Sequence, residues 1–252
     1  MGFEFKKKKT EKKISEKQQM LSENSPFYLT EAYRNLKVNI SLSVPQKEDG
    51  KAISIFFTSC FPNEGKSTTS VNTALMYASP QYRVLLIDAD MRKGTLHKYF
   101  SLRHRPGLSE YLSGSASSEE IIKPVAGRSN LSVICCGSAA PNPYELLKSS
   151  AMGALCEQVS EQYDYIIIDT PPLGMMSDCL ALVPYVDGCA IVSRYLQSTY
   201  KDLRSVVSRL QFSQCKVLGV VMNDCELKSG GKRGYGKYGY GYGYGYGGEI
   251  TE

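Results

Sequence analysis

Unbroken apolar runs recur along this chain, and each is followed by a segment of helical period. Ile53, Ile55 and Phe57 mark one strand, and Val84-Leu85-Leu86-Ile87 and Tyr165-Ile166-Ile167-Ile168 mark two more. A strand that is apolar at every position, rather than at every second one, is covered on both faces. Further strands are predicted over 131–135, 189–192 and 217–222. Helices are predicted over 65–78, 147–162 and 200–212, with a short one over 179–185. Strand and helix take turns throughout, which predicts an α/β fold with a parallel sheet and helices on both faces.

The junction between the first strand and the first of these helices carries the chemistry. It reads Phe57-Thr58-Ser59-Cys60-Phe61-Pro62-Asn63-Glu64-Gly65-Lys66-Ser67-Thr68, and Gly65-Lys66-Ser67 has the ending of a phosphate-binding (Walker A) loop. Backbone N–H groups at a helix start point at phosphate oxygens, and the helix dipole favours the anion. Pro62, Asn63, Glu64, Gly65, Lys66, Ser67 and Thr68 are therefore the candidate nucleotide contacts. Lys66 is placed to reach the β- and γ-phosphates, and the Ser67 hydroxyl to ligate Mg²⁺. Cys60 and Asn63 stand where such loops commonly have glycine, but asparagine tolerates positive φ better than most residues. A G-K-S triplet at a helix start also arises by chance. The strand before it, the helix after it and the acids downstream favour the phosphate reading.

Those acids close two of the apolar strands. One run ends in Asp88-Ala89-Asp90-Met91-Arg92, the other in Asp169-Thr170-Pro171-Pro172. Carboxylates at the C-terminal ends of parallel strands face the crevice where α/β sheets bind ligands. Hydrated Mg²⁺ takes one or two carboxylates together with phosphate oxygens. Asp169 fits that role through water, Asp90 is a second candidate near the metal, and Asp88 is left as a candidate base. The bland alternative is that Asp88 or Asp90 merely caps the next helix. Asn223, after the last strand, is a candidate for base contact or simply a turn residue.

The two ends differ from the middle. Residues 1–25 are polar and include Lys6, Lys7, Lys8, Lys9, Lys12 and Lys13, which supply much of the net charge of +5. They read as a flexible, solvated arm with at most weak attraction to an anionic membrane. Residues 26–50 are expected to hold a helix over 28–41 and a linker, and residues 51–227 the α/β unit. From 228 to 252 the chain is Gly/Tyr-rich, with Tyr235, Tyr238, Tyr240, Tyr242, Tyr244 and Tyr246, and reads as a disordered tail. No apolar stretch approaches the roughly 20 residues of a membrane-spanning helix. The N-terminus lacks the apolar core of a secretion signal, so the chain is expected in the cytosol. The eight cysteines form no C-x-x-C pair and read as reduced, mostly buried thiols. With only His97 and His104 as imidazoles, a transition-metal site has little support. Nothing suggests a nucleic-acid partner.

Taken together, the loop from Ser59 to Thr68, the segment Leu86 to Arg92 and the segment Ile166 to Pro172 resemble three motifs of one family. These are the Walker A, Walker A′ and Walker B motifs of the bacterial P-loop protein-tyrosine kinases that control exopolysaccharide and capsule synthesis. Gly107-Leu108-Ser109 with Tyr111-Leu112, Pro141-Asn142-Pro143 with Glu145-Leu146-Leu147, and the tyrosine cluster extend the likeness over residues 26–246. The resemblance implies a P-loop NTPase-like fold and an ATP- and Mg²⁺-dependent kinase that autophosphorylates the tail tyrosines between neighbouring subunits. It implies a separate cytoplasmic chain, recruited to the inner face of the membrane by an adaptor of the chain-length-determinant type and opposed by a cognate tyrosine phosphatase. It also implies a homo-oligomer, commonly an octameric ring, formed in part by a helix bearing E-x-x-R-x-x-R. Here Glu31, Arg34 and Lys37 occupy that pattern, with lysine in place of the last arginine; packing of this helix on the sheet edge is the alternative. Lysine keeps the charge but loses the planar fork. The main rival is a partitioning or septum-placement ATPase of the deviant Walker type. Such proteins carry an extra lysine early in the loop, where this chain has Phe61, and lack a Tyr-rich tail.

Overall fold

Seven strands form one sheet in the order β3-β4-β2-β5-β1-β6-β7. They are β1 (Ile53–Ser59), β2 (Val84–Asp88), β3 (Ile122–Val125), β4 (Arg128–Ile134), β5 (Tyr165–Asp169), β6 (Gly188–Arg194) and β7 (Val217–Asn223). The structure is a computed structural model, and it describes residues 15–47 and 49–225. The lysine run at 6–13 and the tail tyrosines lie outside the described residues. All pairings are parallel except β3 with β4.

The apolar runs are explained by two separate cores, one on each face of the sheet. Ile53, Ile55 and Phe57 of β1, Val84 and Leu86 of β2, and Tyr165 and Ile167 of β5 face one layer. That layer holds α1 (Phe27–Ser43), α2 (Lys66–Tyr77) and α3 (Leu96–Phe100). The alternate residues Phe56, Leu85, Ile87, Ile166 and Ile168 face the other. There they meet α4 (Leu108–Leu112), α5 (Ser118–Ile121), α6 (Pro143–Lys148), α7 (Ser150–Gln162), α8 (Tyr200–Phe212) and a 3-10 segment, Asp178–Tyr185. Each fully buried Phe, Leu or Ile contributes about 1.5–3 kcal/mol, so a charge at any of these positions would be strongly destabilising. Helix α8 begins where expected because Thr199 and Asp202 form a reciprocal cap: Asp202 accepts the Thr199 N–H at 2.9 Å, and the Thr199 hydroxyl oxygen accepts the Asp202 N–H at 3.3 Å.

Three features depart from the sequence reading. The sheet is not wholly parallel, because the short strand β3 adds an antiparallel edge; Pro124 is tolerated there since an edge position need not donate. The helix expected over 147–162 is two helices. α6 starts earlier, with Pro143 in its first turn, and Ser149 is extended (ψ 158°) with its hydroxyl donating to the Leu146 carbonyl at 2.7 Å. Residues 15–25, expected within a flexible arm, are anchored at Leu21, which is buried, while most of its neighbours stay exposed. They include a 3-10 turn, Glu16–Gln19, and Leu21 is buried among Ile40, Val44 and Tyr99. The physical reason is the Asn72 side chain on α2. Its oxygen accepts the Leu21 N–H at 2.8 Å and its amide donates to the Gln19 carbonyl at 3.0 Å. Met20 and Leu21 supply apolar surface that the lysine-dominated composition of the arm obscures.

Candidate active site

Strand β5 lies between β1 and β2, so the two acidic strand ends are neighbours. Asp88 and Asp169 are directly paired in register, and Asp169 is also paired with Phe57, near the C-terminal end of β1. The loop turns through Asn63 (φ 64°) and Gly65 (φ 87°) before α2 begins at Lys66. Asn63 thus adopts the left-handed conformation for which glycine is usual. At Gly65 a side chain is excluded twice over, by that φ and because a Cβ would lie 1.9 Å from the Asn223 amide nitrogen.

Lys66 Nζ donates to Asp169 Oδ1 at 2.9 Å; the two side chains are 8% and 1% exposed. Burial alone would lower the lysine pKa. Asp169, followed by Asp90 and Asp88, more than offsets it, so Lys66 is held above its ordinary value and stays charged. The Ser70 hydroxyl also donates to Asp169 Oδ1, at 3.3 Å, while Asp169 Oδ2 is buried without a hydrogen-bond partner among the described residues. A desolvated carboxylate oxygen left unpaired is costly unless a cation or water meets it. With Ser67 in the adjacent first turn of α2, the donor set is all oxygen, which suits Mg²⁺.

Asp88 is fully buried. Its oxygens accept the Leu96 N–H at 3.0 Å and the Asp90 N–H at 3.3 Å. Burial and the neighbouring Asp169 push its pKa up to about 8. Asp90 is half-buried, and its Oδ1 accepts the N–H groups of Arg92 at 3.2 Å and Lys93 at 2.9 Å. Asp88 thus also caps the start of α3, while Asp90 closes the turn that precedes it. The Thr68 hydroxyl meets the Gln19 side-chain oxygen and the Tyr99 hydroxyl, each at 2.8 Å. Pro62 and Asn63 are exposed at the loop tip. The Glu64 side chain is buried against protein donors, and Asn223 Nδ2 donates to the Glu64 carbonyl at 3.0 Å.

Sequence reasoning missed one charged pair. Arg92 grips Asp178 through two bonds, at 2.7 and 3.2 Å, joining the loop after β2 to the loop after β5. The partners are 86 residues apart, and no local pattern links them. On α1, Arg34 pairs with Glu31 of the same helix. Lys37 turns inward, donating to the Met76 carbonyl at 3.2 Å with its ammonium 5.0 Å from the centre of the Tyr77 ring. That placement caps the C-terminal end of α2 and puts Lys37 on the sheet-packing side rather than with Arg34.

A family model described as an AAA domain matches residues 63–185. The chain is 37% identical to the tyrosine-protein kinase ptk of Acinetobacter johnsonii over 210 residues. That match takes in 82% of this chain but only 28% of the longer relative. It is 34% identical to the tyrosine-protein kinase YwqD of Bacillus subtilis over 206 residues, 82% of this chain and 85% of that one. The chain belongs to the bacterial tyrosine-protein kinases. This is the enzyme class implied by the motifs around Lys66, Asp88 and Asp169. Among solved structures, the kinase domain of the Escherichia coli tyrosine kinase ETK superposes with a TM-score of 0.74 at 29% identity, covering 86% of this chain and 87% of that one. The septum site-determining protein MinD of Pyrococcus horikoshii superposes with a TM-score of 0.57 at 19% identity, covering 68% of this chain and 70% of that one; it shares the fold alone.

Proposed function

We propose that this tyrosine kinase transfers the γ-phosphoryl group of Mg-ATP to Tyr235, Tyr238, Tyr240, Tyr242, Tyr244 and Tyr246 of its tail. The observation that carries the reading is the buried Lys66–Asp169 pair with its unpartnered carboxylate oxygen, beside a left-handed phosphate loop. Phosphoryl transfer depends on positioning and neutralised charge more than on covalent chemistry. Loop amides and the Lys66 ammonium hold the triphosphate, and Ser67, Asp169 and Asp90 are the residues that would hold Mg²⁺. When bound, the ion neutralises charge on the phosphates. The tyrosine phenol oxygen attacks the γ-phosphorus, the bond to the β–γ bridging oxygen breaks, and the phenolic proton passes to an Asp88 carboxylate oxygen. Burial and the neighbouring Asp169 raise Asp88 well above the ordinary carboxylate range, which makes it a stronger proton acceptor once ionised.

The same reading covers regulation. The tail from Tyr235 reaches at most about 60 Å when extended, enough to enter a neighbouring subunit of a homo-oligomer. Recruitment to the inner membrane face by an adaptor of the chain-length-determinant type, reversal by a cognate tyrosine phosphatase, and control of capsular or exopolysaccharide synthesis complete the proposal. Among the described residues no helix is long and apolar enough to cross a membrane.

The test is incubation of the full chain with Mg-ATP, with and without the adaptor's cytoplasmic tail, followed by mass-spectrometric mapping. Phosphate on Tyr235 to Tyr246 in the wild type, absent in a folded Lys66→Met variant, is the expected result. Released inorganic phosphate with unmodified tyrosines would instead support a deviant-Walker ATPase.

A further inference from the structure

A carboxylate inside an anion-binding loop needs a reason, because its charge opposes the ligand. Glu64 stands between the two left-handed residues of the phosphate loop and is 1% exposed. Its Oε2 accepts the N–H of Phe61 at 2.8 Å. Its Oε1 accepts the N–H of Arg194 at 3.4 Å and a short hydrogen bond from the Ser198 hydroxyl. No lysine or arginine side chain pairs with it among the described residues, so neutral donors hold the charge. The loop's carbonyls are tied on the same side. Gln197 Nε2 donates to the Pro62 carbonyl at 2.9 Å, and Asn223 Nδ2 to the Glu64 carbonyl at 3.0 Å. Arg194, Gln197 and Ser198 lie at the junction of β6 and α8, and Asn223 ends β7.

We propose that Glu64 is a positioning residue: its side chain clamps the phosphate loop to the β6–α8 connection and makes no contact with phosphate itself. This deepens the nucleotide reading above and rests on it. A non-glycine residue in the left-handed region, as Asn63 is, is costly unless surrounding contacts hold it. A loop held in that shape before the nucleotide arrives offers its remaining amides without an ordering cost at binding. Phe61 N–H, engaged by Glu64, is withdrawn from the amides that could meet an anion.

The experiment is titration calorimetry with Mg-ADP on the full chain, at a temperature below the melting transition of every variant. Glu64→Gln keeps the size but offers one acceptor where two are needed. It should weaken Mg-ADP binding by about 10–100-fold, the range for hydrogen bonds to a charged group. Ser198→Ala should weaken it by about 2–5-fold, and the double variant should bind no worse than Glu64→Gln alone, because Ser198 acts through Glu64. In turnover assays KM for ATP should rise while kcat stays within a few-fold. Unchanged Mg-ADP affinity in Glu64→Gln, even with a lower melting temperature, would mean a merely structural role and overturn the inference. Tighter binding would overturn it too, by showing the charge to be only a burden. If Glu64→Gln does not fold, Ser198→Ala decides: unchanged affinity rejects the clamp and a weakened one supports it. No uptake by the wild type would overturn the nucleotide reading and this inference with it.

Discussion

Replacing Lys66 with methionine should do more than remove a phosphate contact; it should destabilise the nucleotide-free protein. The ammonium is bonded at 2.9 Å to a carboxylate that is 1% exposed. Without it, the Asp169 carboxylate keeps only the Ser70 hydroxyl at 3.3 Å among the described residues and faces Asp88 across the β2–β5 pairing. Removing one partner of a buried ion pair costs about 3–5 kcal/mol, because the other charge is left uncompensated. For a domain of this size about 2–4 °C is lost per kcal/mol, so the melting temperature should fall by about 6–20 °C at pH 7.5. Adding Asp169→Asn removes the stranded charge and should recover most of the lost melting temperature. Circular-dichroism melts of the three proteins without nucleotide measure this directly. If Lys66→Met melts within about 2 °C of the wild type, less than about 1 kcal/mol has been lost and the pair is not desolvated as described.

Other outcomes follow from the same geometry. Folded Asp88 titrates near 8 and unfolded aspartate near 3.8, so its contribution to stability should fall as pH rises across that window and level off above it; Asp88→Asn should flatten urea-derived stability between pH 5 and 9 while abolishing tyrosine phosphorylation. Gly65→Ala should cost at least about 1–2 kcal/mol in left-handed strain alone and lose measurable Mg-ADP binding, because the added Cβ meets the Asn223 amide at 1.9 Å. Leu21→Ala should cost about 2–3 kcal/mol and expose residues 15–25 to limited proteolysis, whereas a solvated arm would show neither effect.

The central strands were readable because a strand covered on both faces must be apolar at every position, as 84–87 and 165–168 are. The phosphate loop was readable because its function uses neighbouring backbone amides, so its residues are contiguous. Strand β3 was not readable: four residues containing a proline become a strand only by pairing with β4. The anchored segment at 15–25 was hidden for a similar reason, since Asn72, which holds it, lies some fifty residues on.

By itself the sequence determined most of the strands and helices of the core, the position of the phosphate-loop motif, and which carboxylates end the strands. The tertiary structure alone decided that β5 inserts between β1 and β2, which brings Asp169 to Lys66 across 103 residues and sets it opposite Asp88. It alone decided that Arg92 meets Asp178, that Glu64 meets Ser198, and that Lys37 turns inward. Local pattern follows from covalent spacing and periodicity, whereas strand order and the partners of a buried charge are settled only when separate segments compete to fill one low-dielectric interior.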